Sequence, residues 1–248
     1  MLELLEGDKH TNELIKNLGE SSVSLLPQIK RLVDEGLIVQ NDGICSLTMI
    51  GELIIKQSET LIRNSDLINK NIKFWSRYDL SDIPDYLLGR LYEIGKFDII
   101  EVDLRSVYYE PNPYIDKMIK DAKFLRTFTT MNQPEYVETY YNCILSGCNT
   151  EILFPKALYD ILKSNPENVR KKESLPENSR LKFIITSPDI KIAEVTVTDE
   201  VFMLTPYPLK ESLDYRYLIS KEKSAIKWGN DLIDHIKSIS EPVPDIKN

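Results

Sequence analysis

Residues 11–51, TNELIKNLGESSVSLLPQIKRLVDEGLIVQNDGICSLTMIG, carry the order of elements on which the fold turns. Thr11 is placed to N-cap a short helix bearing Leu14, Ile15 and Leu18, and Gly19 stops it. Ser21 or Ser22 caps a second helix, whose Leu25, Ile29, Leu32 and Val33 form one apolar stripe ending at Gly36. Pro27 removes a backbone donor, so this helix either begins near Ser24 or bends. Leu37–Val39 and Ile44–Leu47 read as short strands joined by Asn41-Asp42-Gly43, a hairpin signal because glycine accepts positive φ. Thr48 then caps a long helix to about Asn71, in which Leu53-Ile54, Leu61-Ile62 and Leu67-Ile68 return about every seven residues, with Gln57 and Asn64 between them.

Helix, helix, two-strand ribbon, helix is the order of a winged helix-turn-helix, and it predicts binding to double-stranded DNA. The second helix is the recognition candidate. Its first half would enter the major groove, with Ser22, Ser24, Gln28 and Lys30 toward bases or phosphates and Thr11 and Ser21 beside them. Lys16 and Arg31 are phosphate candidates. Charge opposes this reading: the chain is −8 overall with pI about 5.0, and residues 1–70 carry seven basic against eleven acidic side chains. The wing tip has no basic residue. Such a reader depends on dimer geometry and a few base contacts, and the seven-residue seam is read as a dimer interface, the alternative being a helix packed on its own domain. The alternatives are a solvated helix face or a protein-docking module.

The composition, 42% hydrophobic and 28% charged over 248 residues, is that of a soluble chain of one or two domains. No apolar run reaches the ~18 residues of a membrane helix, and MLELLEGDKH has no signal-peptide pattern, so a cytoplasmic, membrane-free protein is expected. The abrupt helical start suggests a longer natural N-terminus. Cys45, Cys143 and Cys148 are too few and too oddly spaced for a disulfide scaffold or zinc site, and are read as buried thiols. No metal, cofactor or catalytic residue is expected: glycine-rich phosphate loops and Cys–His pairs are missing, and the chain has nine glycines.

After a junction at 72–84 the pattern alternates strand and helix. Strands at 97–102, 124–129, 150–154 and 180–186, with helices at 113–123, 134–145 and 156–163, predict an α/β domain with a mostly parallel sheet. Close-set strands at 191–197, 201–206 and 215–219 add an antiparallel part, making the sheet mixed, and a helix follows at 222–238. Residues 165–178, charged and with Pro166 and Pro176, read as a loop with at most one helical turn. The predicted domains are 1–47 (winged helix), 48–84 (linker and dimerisation helix) and 85–240 (α/β sensor). Ligands in such sheets lie beyond the carboxyl ends of strands. That rule nominates Asp103 and Arg105, then Thr129-Thr130, Phe154, Thr205 and Tyr207, for a small, anionic or hydroxylated effector. Tyr136, Tyr140 and Tyr141 share one helix; core packing is the plainer account of them, a ligand cage the sharper one.

Three patches resemble a family. LPQIKRLVDEGLIV (26–39) with SLTMIGELI (46–54) resembles archaeal ArsR/MarR-like winged-helix regulators. FWSRYDLSDIPDYLLGRLYEIG (74–95), VTVTDEVFMLTPY (195–207) and YLISKEKSAIKWGNDLIDH (217–235) resemble the archaeal methanogenesis-regulatory-protein family. The resemblance implies a transcriptional regulator with a family-specific sensor domain. That domain is also similar to the phospholipase D superfamily fold, whose active members use His-x-Lys-x4-Asp twice. In IAEVTVTD (192–199) Ile192 and Glu194 replace the His and Lys and only Asp199 remains, so the resemblance implies a degenerate site that binds at most. Together these features predict a homodimeric DNA-binding regulator tuned by a small molecule; the alternatives are a hydrolase with a non-standard site and a protein-interaction module.

Overall fold

The computed structural model describes residues 1–101, 113–132, 134–186, 190–209 and 216–240, which divide into two compact units, Met1–Asp66 and one beginning at Leu67. The first holds a 3₁₀ turn (Leu2–Glu6), β1 (Lys9–His10), α1 (Thr11–Leu18), α2 (Ser22–Asp34), β2 (Ile38–Asn41), β3 (Ile44–Leu47) and most of α3 (Met49–Lys70). Its antiparallel sheet runs β1-β3-β2.

His10, not Thr11, caps α1: its Nδ1 accepts from Asn12 N at 3.2 Å. Thr11 begins the helix and is turned inward, because pairing of β1 with β3 carries its hydroxyl to the hairpin. There it donates to Gly43 O and accepts from Gln40 Nε2, each at 2.9 Å. Ser21 Oγ caps α2 by accepting from Ser24 N at 3.1 Å. Pro27 lies inside α2 without ending it. The bond it forgoes is the one to the Val23 carbonyl, and α2 nevertheless runs on to Asp34. Ile29 joins Leu4, Leu14, Ile38 and Cys45 in the core, with Leu25, Leu32 and Val33 against them. Asn41 pairs with Ile44 across a two-residue turn in which Asp42 (φ 50°) and Gly43 (φ 81°) are both left-handed, the type I′ geometry that matches strand twist. Thr48 Oγ1 accepts from Gly51 N at 3.0 Å and donates to Gly36 O at 2.7 Å, capping α3 and tying it to the end of α2.

The second unit comprises α4 (Ile72–Trp75), β4 (Tyr78–Asp79), α5 (Asp85–Leu88), a 3₁₀ turn (Leu91–Ile94), β5 (Asp98–Glu101), α6 (Pro113–Lys120), β6 (Phe124–Thr129), α7 (Pro134–Leu145), β7 (Asn149–Pro155), α8 (Lys156–Ser164), α9 (Pro166–Glu173), β8 (Leu181–Thr186), β9 (Ile192–Thr198), β10 (Phe202–Pro208), β11 (Arg216–Ser220) and α10 (Lys223–Ser238). The strand order is β5-β11-β10-β9-β6-β7-β8, with β4 on β10. The expectation of a mostly parallel sheet is corrected. Among the described residues only β6–β7 and β7–β8 are parallel, while β6–β9, β9–β10, β10–β11, β11–β5 and β10–β4 are antiparallel. The late strands follow one another too closely for crossover helices, so they form a central meander. The parallel strands add to its β9 edge, and β5 adds to the far edge instead of joining β6.

One sheet face, with Phe128, Val195, Val197, Phe202 and Leu204, packs on Trp228, Leu232, Ile233 and Ile236 of α10. Trp228 Nε1 donates to Leu87 O at 3.0 Å. Beside this core Arg126 donates to Glu151 and Asn230, each at 2.9 Å, clamping sheet to helix. The opposite face, with Leu125, Met203 and Ile219, packs on Ile119, Tyr136 and Cys143. The stretch 165–178, expected as a loop with at most one helical turn, contains the eight-residue α9: Asn165 Oδ1 accepts from Glu167 N at 2.9 Å and Pro166 occupies the first turn. Its residues, PENVRKKE, carry no apolar stripe, which hid the helix. All three cysteines are free and buried. Among the described residues no helix is long and apolar enough to cross a membrane.

Candidate functional site

The α7–α9 side of the sheet encloses a cavity of about 500 Å³ between β6–β9 and those three helices. Alternation decides what its floor is made of, since side chains of one strand alternate between faces. Cross-strand pairing of Thr129 with Glu194 and of Glu194 with Thr205 sets these three on the cavity side. Thr129 and Glu194 reach the cavity; Thr205 does not line it.

Glu194 is only 2% exposed. Oε1 accepts from Thr196 Oγ1 at 3.1 Å, and that hydroxyl pairs with Thr127 Oγ1 at 2.8 Å. Oε2 has no hydrogen-bond partner among the described residues. Burial raises the carboxyl to about 7, against the lowering effect of the Thr196 hydroxyl. Tyr140 is held well above the usual phenol range by burial first, then by the charge of Glu194. The walls are aromatic. Tyr136 and Tyr140 stack at 6.3 Å, Phe154 and Tyr159 at 5.9 Å, and Phe154 meets Phe183 at 5.5 Å. Lys163, Lys171 and Lys172 also line the cavity. Lys171 is held by Glu138 and Glu167, whereas the ammoniums of Lys163 and Lys172 lie over the rings of Tyr159 and Phe183 at 5.7 and 5.3 Å.

Of the nominated effector residues, Thr129, Tyr136 and Phe154 line this cavity. Thr130 Oγ1 donates instead to Ala193 O at 3.2 Å. Thr205 is buried with its hydroxyl unpartnered among the described residues, and Tyr207 is exposed on the strand edge that pairs with β4. Asp103 and Arg105 lie outside the described residues. Tyr140 and Tyr141 line the cavity together with Tyr136, and Tyr136 and Tyr140 also pack in the core, as the plainer reading has it. Glu194, Tyr159, Phe183 and the lysines were not nominated. The signal for Glu194 was available: it is the one carboxylate in IAEVTVT, a strand buried throughout. Neither His10 nor His235 lines the cavity, and among the described residues no His/Cys/Asp/Glu group has metal-binding geometry. Asp199 Oδ1 accepts from Lys123 N at 2.9 Å.

In the first unit Ser21, Ser22, Ser24, Gln28, Lys30, Arg31 and Lys16 are exposed and Thr11 is buried. Arg31 Nε donates to Glu35 at 2.8 Å. Ser22, Gln28, Lys30 and Lys16 make no side-chain hydrogen bond or ion pair among the described residues.

Methanogenesis regulatory protein FilR1 of Methanothrix harundinacea (strain 6Ac) is 21% identical over 227 residues, 90% of this chain and 50% of that protein, so the chain spans half the length of the curated relative it matches. The solved archaeal chromatin protein TrmBL2, described as showing a novel mode of DNA binding, overlaps 98% of this chain and 91% of its own at 14% identity and TM-score 0.45. NucT from Helicobacter pylori overlaps 60% of this chain and 99% of its own at 9% identity and TM-score 0.41. The family model for the middle domain of methanogenesis regulatory protein FilR1 matches residues 108–239, more than half of the length, and the chain belongs to that family.

Proposed function

We propose that this chain is a DNA-binding transcription regulator whose second unit senses a small molecule. In this reading Met1–Asp66 is a winged helix-turn-helix that lays the first half of α2 in the major groove. Ser22, Ser24, Gln28 and Lys30 face base edges or phosphates, and Lys16 and Arg31 face the backbone. The observation that carries it is that Ser22, Gln28, Lys30 and Lys16 are exposed and uncommitted, on a helix whose other side is core. Membership in a regulatory-protein family supports the reading. Two copies pair through α3, where Ile50, Leu53, Ile54 and Leu61 stand exposed. A double-stranded operator, a homodimer and a cytoplasmic setting go together with that role. The effector enters the cavity above Glu194 and changes operator occupancy; α3 begins in the first unit and ends, at Leu67 and Ile68, in the core of the second.

The test is selection of bound fragments from genomic DNA, followed by fluorescence anisotropy on the selected site and on random duplex. Preference for the selected site, lost in Gln28→Ala with unchanged folding, is the expected result. Equal affinity for both duplexes at low salt removes the reading.

A further inference from the structure

The cavity has two chemically different ends. At the buried end Glu194 lines the cavity and its buried Oε2 lacks a donor among the described residues, while its sister oxygen is already satisfied by Thr196. A buried acceptor without a donor is an expensive arrangement, and a ligand donor relieves it. At the exposed end Lys163 and Lys172 have no carboxylate partner among the described residues and are free to take an anion. Between them the Tyr136–Tyr140 stack, at 28° between planes, and the Phe154–Tyr159 stack, at 12°, offer flat apolar surfaces. About 500 Å³ lies within the range of small-ligand pockets.

We propose that the cavity takes a flat aromatic acid bearing an N–H or O–H donor on its ring system, the donor meeting Glu194 Oε2 and the acid group meeting Lys163 and Lys172. This rests on the sensing reading above and gives the effector a chemical class. Ring faces pack on the tyrosine and phenylalanine walls, so an acyl chain of similar size loses contact area. A cationic amine in place of the acid meets two ammoniums and is rejected.

Four probes separate these elements in calorimetric titration of the full chain: indole-3-acetate, 1-naphthaleneacetate (the same shape without N–H), tryptamine (the ring N–H without the acid) and decanoate. Indole-3-acetate is expected to bind about tenfold or more tighter than each of the others. In Glu194→Met the indole and naphthalene acids should bind alike, the naphthalene acid as it does to the parent. In Lys163→Gln/Lys172→Gln both acids should weaken and tryptamine should not. Circular dichroism melts of each variant confirm that it is folded. Decanoate binding as tightly as indole-3-acetate, equal binding of the two aromatic acids to the parent chain, or no binding of any probe overturns the proposal. The sensing reading itself fails separately, if no fraction of a cell metabolite extract alters operator affinity.

Discussion

Glu194 holds the clearest consequence of a single side chain. Its carboxyl sits at about 7 when folded against 4.5 for an ordinary glutamate. Below 4.5 it is protonated in both folded and unfolded chains and contributes no pH dependence. Between 4.5 and about 7 the folded chain keeps a proton that the unfolded chain has released, so stability falls as pH rises, by about 3 kcal/mol in all. Above that the loss is constant. The melting temperature of the parent chain, compared with Glu194→Gln, should therefore decline across this window; parallel curves would show that the group titrates normally. Gly51 is a second such position. A Cβ there overlaps the Leu37 carbonyl oxygen, which is backbone and cannot move aside. Gly51→Ala is expected to cost about 1–3 kcal/mol in chemical denaturation of the first unit. Neither consequence was visible beforehand. A glutamate in a strand and a glycine in a helix acquire these roles only from what packs against them.

Among elements, α2 and α3 make separable predictions. Ser21→Ala removes the cap on Ser24 N and should destabilise the first unit by about 1 kcal/mol without touching the groove-facing residues. On α3, Ile54→Lys with Leu61→Lys places charge on side chains that are 44% and 70% exposed in the single chain. If this stripe is the dimer seam, the pair of changes should weaken self-association about a hundredfold or more in sedimentation equilibrium. A monomeric parent chain would refute the seam. These elements were legible because their signals are local: serine and threonine caps, a glycine stop, a two-residue turn. α9 was misread for the complementary reason. Asn165-Pro166 is a good helix start, but past Pro166 the helix PENVRKKE carries one apolar side chain, Val169, which gives no period to detect. The swap of His10 for Thr11 as cap is smaller, and follows from a strand too short to be read.

The charge of the whole molecule sets how it should meet DNA. At −8 it is repelled by duplex on approach. Lys16, Lys30 and Arg31 are the phosphate candidates of each protomer, so a dimer engages about six phosphates and log affinity should fall with log salt at a slope near about −5. A slope near zero would mean that the α2 face does not meet phosphate at all. On the proposed reading the protein is expected to need low salt for tight binding and to draw its selectivity from base contacts and half-site spacing.

Local chemistry was enough to place the helices and hairpin around Thr11–Gly51 and the strand–helix alternation, because caps, turns and hydrophobic periods act over a few positions. The strand order and the cavity were not contained there. They depend on which strand edges meet across long stretches of chain: β9 between β10 and β6, and β5 carried to the far edge. Pairing of Thr129, Glu194 and Thr205 in adjacent strands is what turns a scattered carboxylate and three tyrosines into one pocket. Burial then raises the proton affinity of that carboxylate, an effect created by the low dielectric of the packed interior and absent from the chain read as letters.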